Sequence, residues 1–388
     1  MTHRSAGLML GFMLVCSSAA LVPTALTVVE YPLPRPKAFP HDPAVGRDGI
    51  VWYTDQANSY IGRLDPESGK VTDYPTPTAV SGPHGIIVAP DGAVWYTANF
   101  KGRLGRLDPT TGAIKEYALP AEARDPHTPL YHDGKIWFTV QGSNLYGWLD
   151  PQSGEAKLFP VATPDARPYG IVAGPPPDGS IWMALFGTNQ IGRVDPANGN
   201  LRIFPLPAPG SRPRRLIVDA KGIVWYSDYA RDRLGRLDPA TGQVREFPCP
   251  GGSGSQPYGI AIGSDGRIWY DESGKNDIVA FDPATERTET VAIPTRVAVV
   301  RNMAVDSIRG RLWLALSGTQ RLGKIELGRG RGRGTALPCP YRAVAAPPCK
   351  SGGAPTARAG RHCSGRAGPG AGRLATAADG IRRRRRHR

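Results

Sequence analysis

Cysteine is scarce and scattered in this chain. Cys16 falls just after an N-terminal apolar run, Cys249 stands alone, and Cys339, Cys349 and Cys363 lie beyond residue 328. That set forms neither a disulfide framework nor a metal-ligand spacing. No apolar run approaches the ~18–20 residues of a membrane-spanning helix. Sustained helical periodicity is missing, as are phosphate-binding-loop and serine-nucleophile motifs. Acids are nearly absent after residue 327, where fourteen arginines and Lys350 face only Asp379. Almost all of the net charge of +15 therefore sits in that stretch. The remainder is close to neutral and has no basic surface to offer phosphates, which excludes a specific nucleic-acid partner for the folded part.

Both ends differ from the middle. His3 and Arg4, the apolar run Gly7–Val15 and the small residues of Ser18-Ala19-Ala20 read as an export signal over residues 1–25. A periplasmic or secreted location follows as an expectation. Residues 328–388 are rich in Gly, Arg, Pro and Ala and end on the run Arg382–Arg386. Such a segment cannot bury a core and is expected to be a disordered tail.

What is present over residues 26–327 is a repeat. Seven of the eight tryptophans, at 52, 95, 137, 182, 225, 269 and 313, are spaced by 42 to 45 residues. Each lies in an apolar run such as Val51-Trp52-Tyr53-Thr54. A second run, Ile61-Gly62-Arg63-Leu64 in the first copy, follows most of them. Asp-Gly pairs such as Asp91-Gly92 precede the Trp run, and Asp65-Pro66-Glu67-Ser68-Gly69 typifies the turn after the second run. Both are turn signals with a mechanism: Pro presets φ, and Gly accepts the left-handed region. A last segment ending in Pro, such as Ile203-Phe204-Pro205, suits an outer edge strand. Four short antiparallel strands every ~43 residues describe a β-propeller blade, so the chain is predicted to be an all-β, seven-bladed β-propeller. Val29-Glu30-Tyr31-Pro32 resembles a fourth strand without a copy before it, while the seventh copy lacks one. Residues 28–33 are therefore expected to complete the last blade and close the ring, leaving no open edge.

In a propeller the starts of the innermost strands converge on the central channel. Aligning the copies on Trp brings His41, His84, His127, Tyr169, Arg214, Tyr258 and Asn302 to that position. A second ring just after each Trp contains Asp55, Asn99, Gln141, Asp228, Asp271, Glu272 and Ser317. Any one Pro-His is ordinarily a turn residue. Three histidines on consecutive blades, with an arginine, phenols and acids around one axis, point to a small-molecule site.

The elements Gly82-Pro83-His84-Gly85-Ile86, Val94-Trp95-Tyr96-Thr97, Ile61-Gly62-Arg63-Leu64 and Glu116-Tyr117-Ala118-Leu119-Pro120 resemble the streptogramin B lyases (virginiamycin B lyase family), over residues 28–327. The resemblance implies a Mg²⁺-dependent elimination that opens the ester of a cyclic depsipeptide antibiotic. A histidine takes the proton α to a carbonyl, and two acids hold the metal. In that family the site motif is Pro-His on one blade, Glu-Pro-His on the next, and Glu four residues past that blade's Trp, on the last two blades. Here those blades read Gln256-Pro257-Tyr258 and Val300-Arg301-Asn302, with Ser317 as the last element. The nearest match is Gly82-Pro83-His84 followed by Asp125-Pro126-His127, with Gln141 four past Trp137. Carried over, the motif makes His127 the base with His84 beside it, and Asp125 and Gln141 the ligands of Mg²⁺ or another divalent cation. His41, Asp55, Arg214, Tyr258, Asp228 and Glu272 are the expected substrate contacts. The expected ligand is a small cyclic ester, depsipeptide or lactone, and the expected state a monomer. Two other readings stay open: a non-catalytic propeller that binds a ligand, glycan or protein, and a gluconolactonase-like hydrolase using Asp55, Asp228 and Glu272.

Overall fold

The structure, a computed structural model, describes residues 25–177 and 179–328. Nearly all of the leader and tail expected at the two ends lies outside the described residues. Twenty-eight strands, β1 to β28 in chain order, form seven four-stranded antiparallel sheets. Blade one is β2 (Pro40–Val45), β3 (Val51–Asp55), β4 (Tyr60–Leu64) and β5 (Val71–Pro75), ordered from channel to rim. Blades two to six repeat this order, with innermost strands β6 (Pro83–Val88), β10 (Pro126–His132), β14 (Pro168–Ala173), β18 (Pro213–Val218) and β22 (Pro257–Ile262). Blade seven takes β26 (Val300–Asp306), β27 (Arg311–Leu316) and β28 (Arg321–Glu326) from the end of the ring and β1 (Val28–Pro32) from its beginning. Val28 pairs with Ile325 and Tyr31 with Leu322, so the expected ring closure is present. Among the described residues no helix is long and apolar enough to cross a membrane.

The core lies between blades. All seven repeat tryptophans are buried, and each joins apolar residues of an adjoining blade; Trp269 packs with Leu312 and Leu314, for example. The Gly of the second run has a steric reason. A Cβ on Gly62 would come within 1.9 Å of the Tyr53 ring, which lies flat over it.

What positions the site is a fault in the ladder, repeated seven times. Pro40 pairs with Asp55, but the next pair is Pro43 with Tyr53, so the innermost strand carries one extra residue. The same slip occurs in every other blade. A bulge of this kind takes two residues out of regular pairing and re-aims their side chains. The seven bulge pairs are 41–42, 84–85, 127–128, 169–170, 214–215, 258–259 and 301–302.

The hydroxyl two residues past the Trp ties the bulges together. Thr54 Oγ1 accepts the Asp42 N–H (3.1 Å) and donates to the His84 carbonyl of the next blade (2.7 Å). Thr97 does this for Gly85 and His127, Thr139 for Thr128 and Tyr169, and Ser227 for Arg215 and Tyr258. Backbone groups that the bulge leaves without ladder partners are thereby satisfied, and neighbouring blades are locked in register.

Candidate small-molecule site at the channel mouth

The first residue of each bulge lines the mouth of the channel: His41, His84, His127, Tyr169, Arg214, Tyr258 and Arg301. Arg301, not the expected Asn302, holds the seventh position. Val300 pairs with Leu316 as Pro40 pairs with Asp55, which puts Arg301 in register with His41. Asn302 is the second bulge residue and belongs with Asp42, Thr128 and Arg215 to a separate cavity of about 310 Å³ further along the channel. The mouth itself is a cavity of about 210 Å³, also lined by Gln56, Asn99, Asp125 and Gln141.

The three histidines form a ladder. Ring centroids of His41 and His84 are 3.7 Å apart, His84 and His127 3.8 Å, and His127 and Tyr169 3.8 Å. Burial lowers the basicity of all three, and the neighbouring imidazoles and arginines add to this for His84 and His127, which fall well below the usual histidine range. Their environments differ at the second bulge residue. His127 Nδ1 meets Thr128 Oγ1 at 2.9 Å. His84 is followed by Gly85, and its buried Nδ1 has no partner. His41 Nδ1 lies 2.9 Å from Asp42 Oδ1, and Asp42 in turn accepts from Arg215 at 2.8 and 2.9 Å. Burial alone would raise the Asp42 carboxyl, but Arg215 and His41 hold it well below the usual range. An ionised Asp42 fixes Nδ1–H as the donor and leaves His41 Nε2 as the acceptor. Asp42 also offsets the depression of His41, so His41 is the least weakened base of the three.

Asp125 sits where the backbone turns left-handed (φ 63°), the conformation that Gly82 takes on blade two. Its carboxylate accepts from Asn99 Nδ2, its carbonyl accepts the Gln141 N–H (3.1 Å), and burial raises its pKa to about 6. Asp125 and Gln141 also border a larger groove of about 480 Å³ with Arg124 and Arg167. Asp125 makes no ion pair with His127; the imidazole's partner is Thr128.

Tyr169 and Tyr258 reach across the mouth to hydrogen-bond through their hydroxyls. Burial and this mutual contact hold the Tyr169 phenol protonated far above its usual range. Arg214 lies between four aromatic rings, with its guanidinium carbon 4.0 Å from the Tyr258 centroid, 4.5 Å from Tyr229, 4.8 Å from Phe186 and 5.1 Å from Tyr169.

Three expected contacts are placed elsewhere. Asp55, Asp228 and Glu272 are buried beside the mouth and do not line it. Asp55 accepts the Phe39 N–H, Asp228 the Arg212 N–H and Glu272 the Gly251 N–H, so each holds the loop leading into its own blade. Their bonds stay within single blades, with no shared focus for one cation. An alignment on Trp picks one residue per copy, whereas a bulge presents two, so Asp42, Arg215 and Arg301 are not among its candidates. The dipeptides His41-Asp42 and Arg214-Arg215 were the available signal.

Against known proteins, a family model described as the virginiamycin B lyase family matches residues 19–176 and 155–348. No curated protein matches. Among solved structures, a streptogramin B lyase is 26% identical over 78% of this chain and 98% of its own, with a TM-score of 0.72. A virginiamycin B lyase from Staphylococcus aureus gives 26%, 78%, 100% and 0.72. A catalytically inactive histidine-to-alanine variant of that enzyme, solved with quinupristin, gives 25%, 78%, 100% and 0.72. Hydrazine synthase of Kuenenia stuttgartiensis, 15% identical with a TM-score of 0.63 over 82% of this chain and 100% of its own, shares the fold alone.

Proposed function

This chain belongs to the virginiamycin B lyase family, and from that premise we propose that its channel mouth opens a cyclic ester, depsipeptide or lactone by proton abstraction, with His41 as the base. The observation that carries this reading is the His41–Asp42–Arg215 relay. It sets one tautomer and keeps a proton-accepting nitrogen on a ring that lines the cavity. In the step, His41 takes the proton α to a carbonyl, the freed electron pair forms the carbon–carbon double bond, and the ester oxygen leaves as carboxylate. His127 and His84 are then the stacked neighbours that shape the pocket, with Tyr169 and Tyr258 beside them.

The residues at the mouth do not fit Mg²⁺. Asp125 is the one carboxylate among the described lining residues, it is protonated more readily than usual, and Asn99 already bonds it. Gln141 adds only a neutral amide, and Arg214 and Arg301 share the cavity. A hard cation needs more anionic oxygen than this. His41, Asp42 and His84 offer ligand atoms within 4.8 Å of one another, but Asp42 is neutralised by Arg215. We therefore read the reaction as metal-free. The leader expected over residues 1–25 supports action outside the cytoplasm, which N-terminal sequencing of the mature protein would test.

Purified protein should open quinupristin, the compound seen with the S. aureus relative, or a member of a panel of cyclic depsipeptides and lactones. Chromatography should show an unsaturated linear acid with no added mass of water. EDTA should leave the rate unchanged, and His41→Ala should abolish it while His127→Ala only weakens it. If no panel member is consumed, with or without Mg²⁺, the lyase reading fails and the mouth is a binding surface. Dependence on Mg²⁺ would overturn the metal-free route, and full activity of His41→Ala would overturn the choice of base.

A further inference from the structure

The mouth holds two guanidinium groups that no acid balances. Arg215 is paired with Asp42, yet among the described residues no carboxylate lies within ion-pair distance of Arg214 or Arg301. The Nε atoms of both are buried without a hydrogen-bond partner. Both lean on the same ring, Tyr258, at 4.0 Å for Arg214 and 5.7 Å for Arg301. Aromatic faces compensate a desolvated guanidinium in part, by roughly 0.5–2 kcal/mol each. They supply no acceptor for the two Nε–H groups, which stay buried and unpartnered on arginines that line a small cavity.

We propose that Arg214 and Arg301 form a carboxylate-binding subsite, and that the ligand of this propeller carries a carboxylate next to an aromatic or other apolar body. Planar N–H forks match the two oxygens of a carboxylate, and an arginine held by rings is already oriented for that contact. The four rings around Arg214 supply the apolar wall. A cavity of about 210 Å³ admits one such group and not a whole large ligand. Asp125, on the same lining, disfavours a dianion and so argues for a carboxylate over a phosphate. The proposal borrows from the lyase reading only its location. A carboxylate released by ester opening would occupy the same subsite.

Calorimetric titration of the full-length chain with benzoate, benzamide and sulfate tests binding without any turnover. Benzoate is expected to bind about tenfold or more tightly than benzamide, the worth of one charge-assisted contact. Arg214→Met and Arg301→Met should each remove that preference, and Arg214→Lys should keep part of it. If Arg214→Met fails to fold, Arg301→Met on the neighbouring mouth position decides. Equal binding of benzoate and benzamide, unchanged affinity in a folded methionine variant, or sulfate binding as tightly as benzoate would each overturn the proposal. Benzoate binding together with no turnover of any ester would uphold the subsite while removing the lyase reading.

Discussion

Asp42 and Arg215, 173 residues apart in sequence, meet across the channel with one guanidinium nitrogen 2.8 and 2.9 Å from the two carboxylate oxygens. Both are buried, and they join blade one to blade five directly, through the middle of the ring. Each is the second residue of its bulge. At that position three of the seven blades carry glycine: Gly85, Gly170 and Gly259. Gly170 has little choice, because a Cβ there would lie 3.0 Å from the Arg214 carbonyl.

Removing one partner of such a pair strands a buried charge. Asp42→Asn should cost about 3–5 kcal/mol in urea unfolding at pH 7. Asp42→Leu combined with Arg215→Met should recover most of that loss. The sign with pH follows from the depressed carboxyl: its stabilisation is present above the unfolded-state pKa and fades as pH falls through the carboxylate range. The gap between wild type and Asp42→Asn should therefore narrow in acid. An equal gap at pH 3 and pH 7 would show that packing, not charge, sets the cost.

Asp271 stands where other blades carry Thr54, Thr97, Thr139 or Ser227. It accepts the Gly259 N–H at 2.5 Å, and burial raises its pKa to about 7. A raised carboxyl favours the folded state at low pH and loses that advantage as pH rises through the folded value. Asp271→Thr should restore the inter-blade hydroxyl without the charge. We expect it to stabilise by about 2 kcal/mol or more at pH 8 and by little at pH 4. Destabilisation of equal size at both pH values would refute this account of the blade-six latch.

Ring closure gives a third expectation. Deleting residues 25–34 removes Val28 from the core, the Tyr31–Trp313 contact (5.4 Å) and Glu30, whose carboxylate accepts the Thr295 N–H (3.0 Å) and pairs with Arg321 (3.2 Å). It also bares the β28 edge. The melting temperature should drop by about 10 °C or more, and the protein should self-associate through that edge. Unchanged melting would mean that β1 is ornamental.

The fold was legible because its signals are local and repeated. A Trp in each second strand, Asp-Gly turns and the orphan strand at Val28–Pro32 specify blades and closure before any long-range contact is known. The site was legible only in outline. His41, His84, His127, Arg214 and Tyr258 do share one mouth, since convergence follows from blade symmetry. A one-residue bulge is invisible to an alignment on Trp. Hence such an alignment points to Asn302 where Arg301 stands, and does not single out Asp42 and Arg215. That Asp55, Asp228 and Glu272 lie beside the mouth and do not line it has a related reason. Next to a bulge, carboxylates are needed to bind loop N–H groups, and a sequence cannot separate that duty from ligand binding.

The charge of the mouth should be tunable at Asp125. Its carboxyl, raised to about 6 by burial with Asn99 opposing, is ionised at pH 7.5 and largely protonated at pH 5. Arg124, Arg167 and Asp165 border it on the groove side, and the neutral His127 and the two arginines share the cavity. Below pH 6 the mouth therefore gains positive charge as Asp125 takes up its proton. Benzoate, itself still ionised at pH 5, should bind several-fold more tightly there than at pH 7.5. Asp125→Asn keeps the bond partner for Asn99 and tolerates the left-handed backbone. It should bind benzoate at pH 7.5 as the wild type does at pH 5, with the pH dependence between them gone. Calorimetry at the two pH values separates the outcomes. A variant that retains the wild-type pH dependence would place the titrating group elsewhere, and weaker binding by Asp125→Asn would mean that the carboxylate helps to hold the ligand rather than repel it.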